Sequence, residues 1–296
     1  MPDNHNTLPL VTHLIGAASI VALTFGVDHA RERVMRFLRQ AYKKHTEHAA
    51  AAMPDGVLPE ATFYDACLHI PGLNDPGHVW VTFWEGLNLH YADPYWINIQ
   101  SSPGEVLLVQ HYLLAVNTVR PDLVIASHLW IPYKNTQRSE QELEQTCMLP
   151  LYFTGPDNGV GVPLSTDEQG LSHLSNAPTG FKRQTVYVRL HLHGYEARQK
   201  QIRLRNGTAS PNASTRHLAR QILLAVRDLI TNAVIDVESA TVRQWVFGSG
   251  EGQISLDDIM LLGFVHISQG KITPLLGLRE SFQLPPQTLD LSTGAE

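Results

Sequence analysis

Residues 182–227 read KRQTVYVRLHLHGYEARQKQIRLRNGTASPNASTRHLARQILLAVR and decide the fold of the C-terminal half of the chain. Every second residue from Val186 to Leu192 is apolar, and this period of two predicts a strand with one buried face. Gly194 and the following tyrosine can turn the chain, so that 197–205 return as the second strand of a hairpin. The exposed face of this hairpin is then predicted to hold Arg189, His191, His193, Arg203 and Arg205.

Two amphipathic helices are predicted from apolar residues at helical spacing. Ser214 is a typical N-cap, and the helix that follows it has an apolar stripe made of Leu218, Ile222, Val226, Leu229 and Ile230. The other helix runs from Asp28 to about Glu47, with Val34, Phe37, Leu38 and Ala41 on one face. The apolar run 14–26 before it is too short to cross a bilayer, so we expect a buried helix or strand there.

Residues 60–180 have a different character. Short apolar runs such as HVWVTFW (78–84) and LVIASHLWI (123–131) alternate with Pro and Gly, which is typical of a sheet or sandwich. The run EVLLVQHYLLAVNTV (105–119) fits a strand or a helix equally well. The C-terminal part is predicted to end in a hairpin around Gln269 and Gly270.

The predicted fold class is therefore α+β, with a β-rich middle region, an N-terminal helix and a C-terminal hairpin-helix-strand unit. We divide the chain into four parts. They are an N-terminal apolar segment and amphipathic helix (1–48), an acidic β-rich region (49–180), a basic hairpin-helix-strand region (181–282) and an extended or disordered tail (283–296).

Charge is distributed very unevenly along the chain. Residues 182–227 hold ten of the 22 Lys and Arg residues against one acid, Glu196, whereas 60–180 are strongly acidic. Like charges gathered in one place repel each other unless an anion lies opposite them. We therefore predict a surface that contacts an anionic partner, formed by Arg189, Arg198, Lys200, Arg203, Arg205, Arg216, Arg220 and Arg227. The candidate partners are nucleic acid, an anionic membrane surface and the acidic region of a neighbouring copy.

The composition suits a protein that contacts other proteins. Charged residues make up 17% of the chain, against about 25% in an average soluble domain. Trp80, Trp84 and Trp96 lie in a strand-rich stretch with few charges, and we predict that they form part of an interface. With only Cys67 and Cys147, a disulfide framework is excluded, and a reducing, cytoplasmic location or a place in a virion is expected.

The 15 histidines suggest an enzymatic alternative. His173-Leu-Ser and His266-Ile-Ser resemble the paired H-x-S/T signature of the two-histidine phosphoesterases, although such tripeptides arise easily by chance in a histidine-rich chain. His191 and His193 lie among arginines, which is a poor place for a cation. A second cluster has spacings that match no close-set zinc ligand pair, and it consists of Cys67, His69, Asp75, His78, His90 and Asp93. We therefore predict no metal and no cofactor.

The preferred interpretation is a non-enzymatic assembly or scaffold protein, such as a viral coat, shell or matrix component. It would form a homo-oligomer or larger assembly and present its basic face to an anionic partner, and no small-molecule substrate is indicated. The alternatives are a histidine-dependent hydrolase or phosphoesterase, and a nucleic-acid-binding protein. An enzyme would bring at least two of His173, His191, His193 and His266 together in a pocket.

Overall fold

The computed structural model describes residues 15, 17–52, 59–68, 78–84, 95–102, 105–130, 136–144, 149–155, 159–176, 179, 183–204, 213–236, 245–250, 252–268 and 270–283. Within these ranges the helices are α1 (Ile20–Phe25), α2 (Val27–Ala52), α3 (Glu60–Leu68), α4 (Gln137–Glu144) and α5 (Thr215–Thr231). The strands are β1 (His78–Trp84), β2 (Tyr95–Ser102), β3 (Glu105–Val116), β4 (Val124–Ile125), β5 (Leu151–Tyr152), β6 (Val162–Pro163), β7 (Thr185–Leu190), β8 (Arg198–Arg203), β9 (Ile259–Ser268) and β10 (Lys271–Leu278). This content confirms the predicted α+β class.

The larger sheet has seven strands in the order β5-β9-β10-β7-β8, with β4 paired to β10 and β6 paired to β9. The pair β10 and β7 is parallel, and the other pairs of this sheet are antiparallel. Strands β4, β5 and β6 belong to the acidic region 49–180, whereas the other four belong to 181–282. The sheet therefore takes strands from both sides of residue 180, and the four-part division of the chain stays a prediction.

The smaller sheet is antiparallel and has β3 between β1 and β2. The run 105–119, which fits a strand or a helix by its pattern, is thus mainly strand β3. Trp80 and Trp84 lie in β1 and Trp96 lies in β2, all at positions paired with β3. Their side chains are outside the described part of the structure, so the aromatic interface stays a prediction.

Helix α5 packs on one face of the larger sheet. The Ser214 side chain accepts a hydrogen bond from the backbone N–H of His217 at 3.2 Å and so caps the helix, as predicted. The apolar stripe of α5 meets the inward side chains of β7 and β8 in one core, which includes Val188, Ile202 and Ile222. Each such fully buried aliphatic side chain contributes about 1.5–3 kcal/mol to folding.

Helices α1 and α2 pack on the other face of the same sheet. Gly26, at φ 99°, joins the two helices in a backbone conformation that favours glycine. The predicted stripe of α2 is buried, including Leu38, and it shares a core with Val265 and Leu275 of the sheet. The sheet thus lies between α5 and the N-terminal helices. No helix in the described ranges combines the length and apolarity that crossing a membrane requires.

Both predicted hairpins are present. Strands β7 and β8 pair from Thr185 with Arg203 to Leu190 with Arg198, and Gly194, at φ 79°, lies in the connection between them. Buried Tyr195 closes this connection, because its hydroxyl donates to the Trp245 carbonyl at 3.1 Å and accepts from the Phe247 N–H at 3.2 Å. Strands β9 and β10 form the C-terminal hairpin, whose predicted turn residue Gln269 and the tail after residue 283 lie outside the described residues.

Candidate anion-binding site

The register of β7 and β8 sorts the basic residues of this hairpin onto two faces. Residues directly opposite each other in an antiparallel pair point to the same side. Arg189 lies opposite Gln199 and Arg203 lies opposite Thr185, so both arginines share the outer face with exposed Tyr187. The predicted common face of these two arginines is therefore present. Arg205 lies outside the described residues.

Arg198 and Lys200 lie on the inner face of β8, towards the C-terminal end of α5. Lys200 forms an ion pair of 3.0 Å with Asp228, and the Arg198 guanidinium donates to the Asn232 carbonyl. Both side chains are partly exposed, so each interaction contributes little to stability. These two cations nevertheless have acceptors within their own chain.

The three arginines of α5 bind the irregular segment 164–176. Arg227 donates to the carbonyls of Leu164 and Thr166, the latter at 2.6 Å. Arg220 forms an ion pair of 3.3 Å with Glu168. Arg216 donates to two further carbonyls of the segment, those of Ser172 and Leu174. Since this segment belongs to the acidic region 49–180, the basic and acidic regions meet here within one chain.

Five of the eight predicted anion-contacting residues thus have acceptors in the chain itself. They are Arg198, Lys200, Arg216, Arg220 and Arg227. Whether they also contact an external anion stays a prediction. Arg189, on the outer face of the β7–β8 hairpin, differs from these five, since its Nε is buried with no hydrogen-bond partner among the described residues.

The segment 127–130 runs antiparallel beside the end of β7. Ser127 is bridged to Leu192, and the His128 N–H donates to the His191 carbonyl at 2.8 Å. In this register side chains alternate between the two faces, so every second residue of each segment shares one face. That face holds His128, Trp130, Arg189, His191 and His193.

Three imidazoles meet on this face. The ring centroid of His128 lies 3.9 Å from that of His193 and 4.6 Å from that of His191. His191 and His193 are half-buried rather than exposed as predicted, and both rings contact the ring of His128. Two of the four histidines named for an enzymatic site therefore meet at His128, which was not one of the four.

Two cations stack on the indole of Trp130 beside these rings. Arg189 Cζ lies 5.0 Å from the Trp130 ring centroid, and Lys271 Nζ of β10 lies 4.1 Å from it. Within the described residues neither cation forms an ion pair with a carboxylate, and Arg189 Nε is buried with no hydrogen-bond partner. Cation–π contacts of this kind are worth about 0.5–2 kcal/mol, but they leave two like charges close together.

The environment lowers the pKa of Arg189, Lys271, His191 and His193. Burial lowers the pKa of Lys271, and the nearby charge of Arg189 lowers it further. Burial also lowers the pKa of Arg189. For His191, burial is the main cause of a lowered pKa, followed by His128, Arg189 and His193, while Asp236 acts in the opposite direction. Burial and then His128 lower the pKa of His193.

We call Arg189, Lys271, Trp130, His128, His191 and His193 the cation–histidine cluster. Neutral imidazoles can donate one hydrogen bond and accept another, and the two cations supply positive charge with free donors. Such a set can bind an oxyanion, and a neutral imidazole in it can also take a proton from a reacting group. Within the described residues, no group of three or more His, Cys, Asp or Glu is arranged to hold a metal ion.

The other two histidines named from the sequence lie elsewhere. His173 is exposed, with Nε2 at 2.8 Å from the Thr154 carbonyl oxygen. His266 lies in β9 against the ring of Phe264, at a centroid distance of 5.7 Å. The side chains of the cluster around Cys67, for which no metal was predicted, lie outside the described part of the structure.

Sequence reasoning missed His128, Trp130 and Lys271. The sequence contains a pattern that marks two of them, since His128 and Trp130 alternate with apolar residues in LVIASHLWI. It does not show which strand this run lies beside, because that pairing joins distant parts of the chain. No protein-family model, curated protein or solved structure matches the chain.

Proposed function

We propose that the protein is a non-enzymatic binding and assembly protein that holds an anionic partner at the cation–histidine cluster. The observation that supports this proposal is the pair of cations on Trp130, Arg189 and Lys271, which have no carboxylate partner among the described residues. A bound anion would relieve their mutual repulsion and give buried Arg189 Nε an acceptor.

The partner in this proposal is a group that carries a compact negative charge, such as a terminal phosphate of nucleic acid or a phosphomonoester headgroup of an anionic membrane. The wider basic face predicted from the sequence supports it less, since five of its eight residues bind acceptors in the chain. Self-association into a coat, shell or matrix remains part of the proposal, in a reducing compartment or a virion. Light scattering at low and high salt tests that part, and a strict monomer at every concentration would refute it.

The variant Arg189→Gln is expected to weaken pyrophosphate binding at least tenfold at low salt, as measured by isothermal titration calorimetry. A tenfold loss corresponds to about 1.4 kcal/mol, which is in the range of one charge-assisted hydrogen bond. The variant Lys271→Gln should act in the same direction, because its ammonium group lies on the same indole ring.

Arg203→Gln is the matched control for this prediction. Arg203 is exposed on the same face of the same hairpin but forms none of the Trp130 contacts. It should change pyrophosphate affinity less than about twofold, as expected for a distant screened charge. Equal losses for Arg189→Gln and Arg203→Gln would point to a diffuse basic face, and absence of binding by the wild type would overturn the proposal.

A histidine-dependent hydrolase or phosphoesterase is the second candidate. The observation that favours it is the contact of His193 with His128 at 3.9 Å, combined with a lowered pKa that keeps the His193 imidazole neutral near pH 7 and able to act as a base. On this alternative, wild-type protein hydrolyses p-nitrophenyl phosphate or its diester, His193→Gln abolishes turnover, and Arg203→Gln does not. Absence of turnover above the buffer rate with both substrates would exclude it for these phosphate esters.

A further inference from the structure

The cation–histidine cluster contains two positively charged donors and therefore suits an anion with more than one negative charge. Arg189 and Lys271 bring two positive groups to one indole ring, from β7 and β10 respectively. The pairing of Lys271 with Tyr187 in the parallel β10–β7 ladder places these two cations on the same face of the sheet. A monoanion would balance one of them, whereas a dianion balances both.

The imidazoles add hydrogen-bond donors beside these charges. Because 127–130 and the end of β7 run side by side, His191 and His193 lie on the same face as Arg189. A neutral imidazole can offer one N–H, while an imidazolium offers two. A tetrahedral oxyanion presents several acceptor oxygens, and so it matches a set that contains a guanidinium, an ammonium and imidazole N–H groups.

Every charged or titratable group identified around His191 bears on its protonation. His128 from 127–130, Arg189 from β7 and neighbouring His193 all disfavour a positive charge there. Asp236, which follows α5 and whose N–H donates to the Gly194 carbonyl at 3.1 Å, favours a positive charge. Lys271 of β10 adds a further positive charge on Trp130, next to Arg189.

We infer that the cluster binds a tetrahedral dianion of the phosphoryl class, and that the bound dianion holds one additional proton on the His191 or His193 imidazole. This inference rests on the proposed anion-binding function. Without a ligand, burial is the main cause that disfavours a proton on either ring, followed by His128 and, for His191, by the charge of Arg189. With a dianion present, the charges of Arg189 and Lys271 are balanced and an anion oxygen lies beside the imidazoles, so the imidazolium form becomes favourable and a proton is taken from the solvent.

The direction of the pH dependence follows from this linkage. A group whose pKa is higher in the complex than in the free protein takes up a proton on binding between the two pKa values. Affinity for a dianion therefore rises as the pH falls through the pKa of the complex, by up to about tenfold per pH unit for one proton. The rise stops below the pKa of the free protein.

Sulfate is the appropriate probe, since it is tetrahedral and keeps both charges throughout the neutral and mildly acidic range. Calorimetric titration of the full chain with sodium sulfate at constant ionic strength, in Tris and in HEPES at pH 7.4, measures the protons taken up through the different ionisation heats of the two buffers. Between half a proton and one proton is expected per sulfate bound. Nitrate, a monoanion, should bind at least tenfold more weakly.

Variants assign the proton and separate this inference from the function on which it rests. At least one of His191→Gln and His193→Gln is expected to reduce the proton uptake at pH 7.4 by half or more, and the same variant should weaken sulfate binding because the linked proton is lost. His173→Gln, which changes an exposed histidine that lies elsewhere, should alter neither quantity. If wild-type protein binds pyrophosphate and sulfate without proton uptake, or binds nitrate equally well, the inference is wrong while the anion-binding function stands. If it binds none of these anions, both are wrong.

Discussion

Replacing Gly263 by alanine should destabilise the protein by about 3 kcal/mol, near the upper end of what overpacking usually costs. Gly263 lies in β9, opposite Tyr152 of the antiparallel neighbour β5. A Cβ atom there would be 2.2 Å from the Leu151 carbonyl oxygen and 2.9 Å from Tyr152 Cα. Both neighbours are backbone atoms, so relief requires β5 to move away and lose its pairing with β9. The free energy of unfolding, measured in urea by circular dichroism, should show this loss.

Two other glycines of the β9–β10 hairpin provide graded controls. A Cβ on Gly270 would meet no atom within 4 Å, so Gly270→Ala should change stability by less than about 0.5 kcal/mol. Gly277 is intermediate, because a Cβ there would lie 3.1 Å from a Leu262 methyl carbon and 3.3 Å from the Leu123 carbonyl oxygen. Equal unfolding midpoints for the Gly263→Ala and Gly270→Ala variants would mean that β5 does not approach β9 as described.

The same strand pair shows what the sequence could not predict about the fold. Strand β5 has two residues, as do β4 and β6, and such short strands contain no detectable period. Their partners, β9 and β10, lie roughly a hundred residues or more further along the chain. The elements that were predicted, such as α5 and the β7–β8 hairpin, have long apolar patterns and local caps or turns. Local sequence patterns therefore predict the longer elements. The short strands β4, β5 and β6 are fixed only by pairing with distant parts of the chain.

The site was predictable to a similar extent. The charge of Arg216, Arg220 and Arg227 is visible in the sequence, but their acceptors are mostly backbone carbonyls of 164–176, which leave no signature in residue types. Arg189 was identified correctly as an outer-face residue, because period-two alternation is a local property. Its contact with Trp130 depends on the antiparallel bridge at Ser127, which joins distant parts of the chain.

His266 is expected to make the protein less stable as the solution becomes acidic. Its ring lies edge-on to Phe264, and buried Arg33 of α2 donates to the His266 carbonyl at 2.6 Å. Burial, followed by the charge of Arg33, lowers the pKa of His266 to about 3. In the unfolded chain the same imidazole titrates near 6.5, so the unfolded state binds more protons between these values. Stability is therefore full above pH 6.5 and falls with decreasing pH until it levels off near pH 3.

The size of this effect can be isolated with His266→Gln, which removes the titrating group. A fully enclosed group would cost about 1.4 kcal/mol per pH unit, and we expect about 1 kcal/mol because part of His266 remains accessible to solvent. The difference in unfolding free energy between wild type and variant should thus change by about 2 kcal/mol from pH 6.5 to 4.5, because the wild type loses stability that the variant keeps. Other acids and bases titrate in both proteins and cancel in this difference. For the control His173→Gln, at an exposed histidine, the difference in unfolding free energy from wild type should not change with pH. If the difference for His266→Gln is also constant, His266 binds its proton equally in the folded and unfolded states.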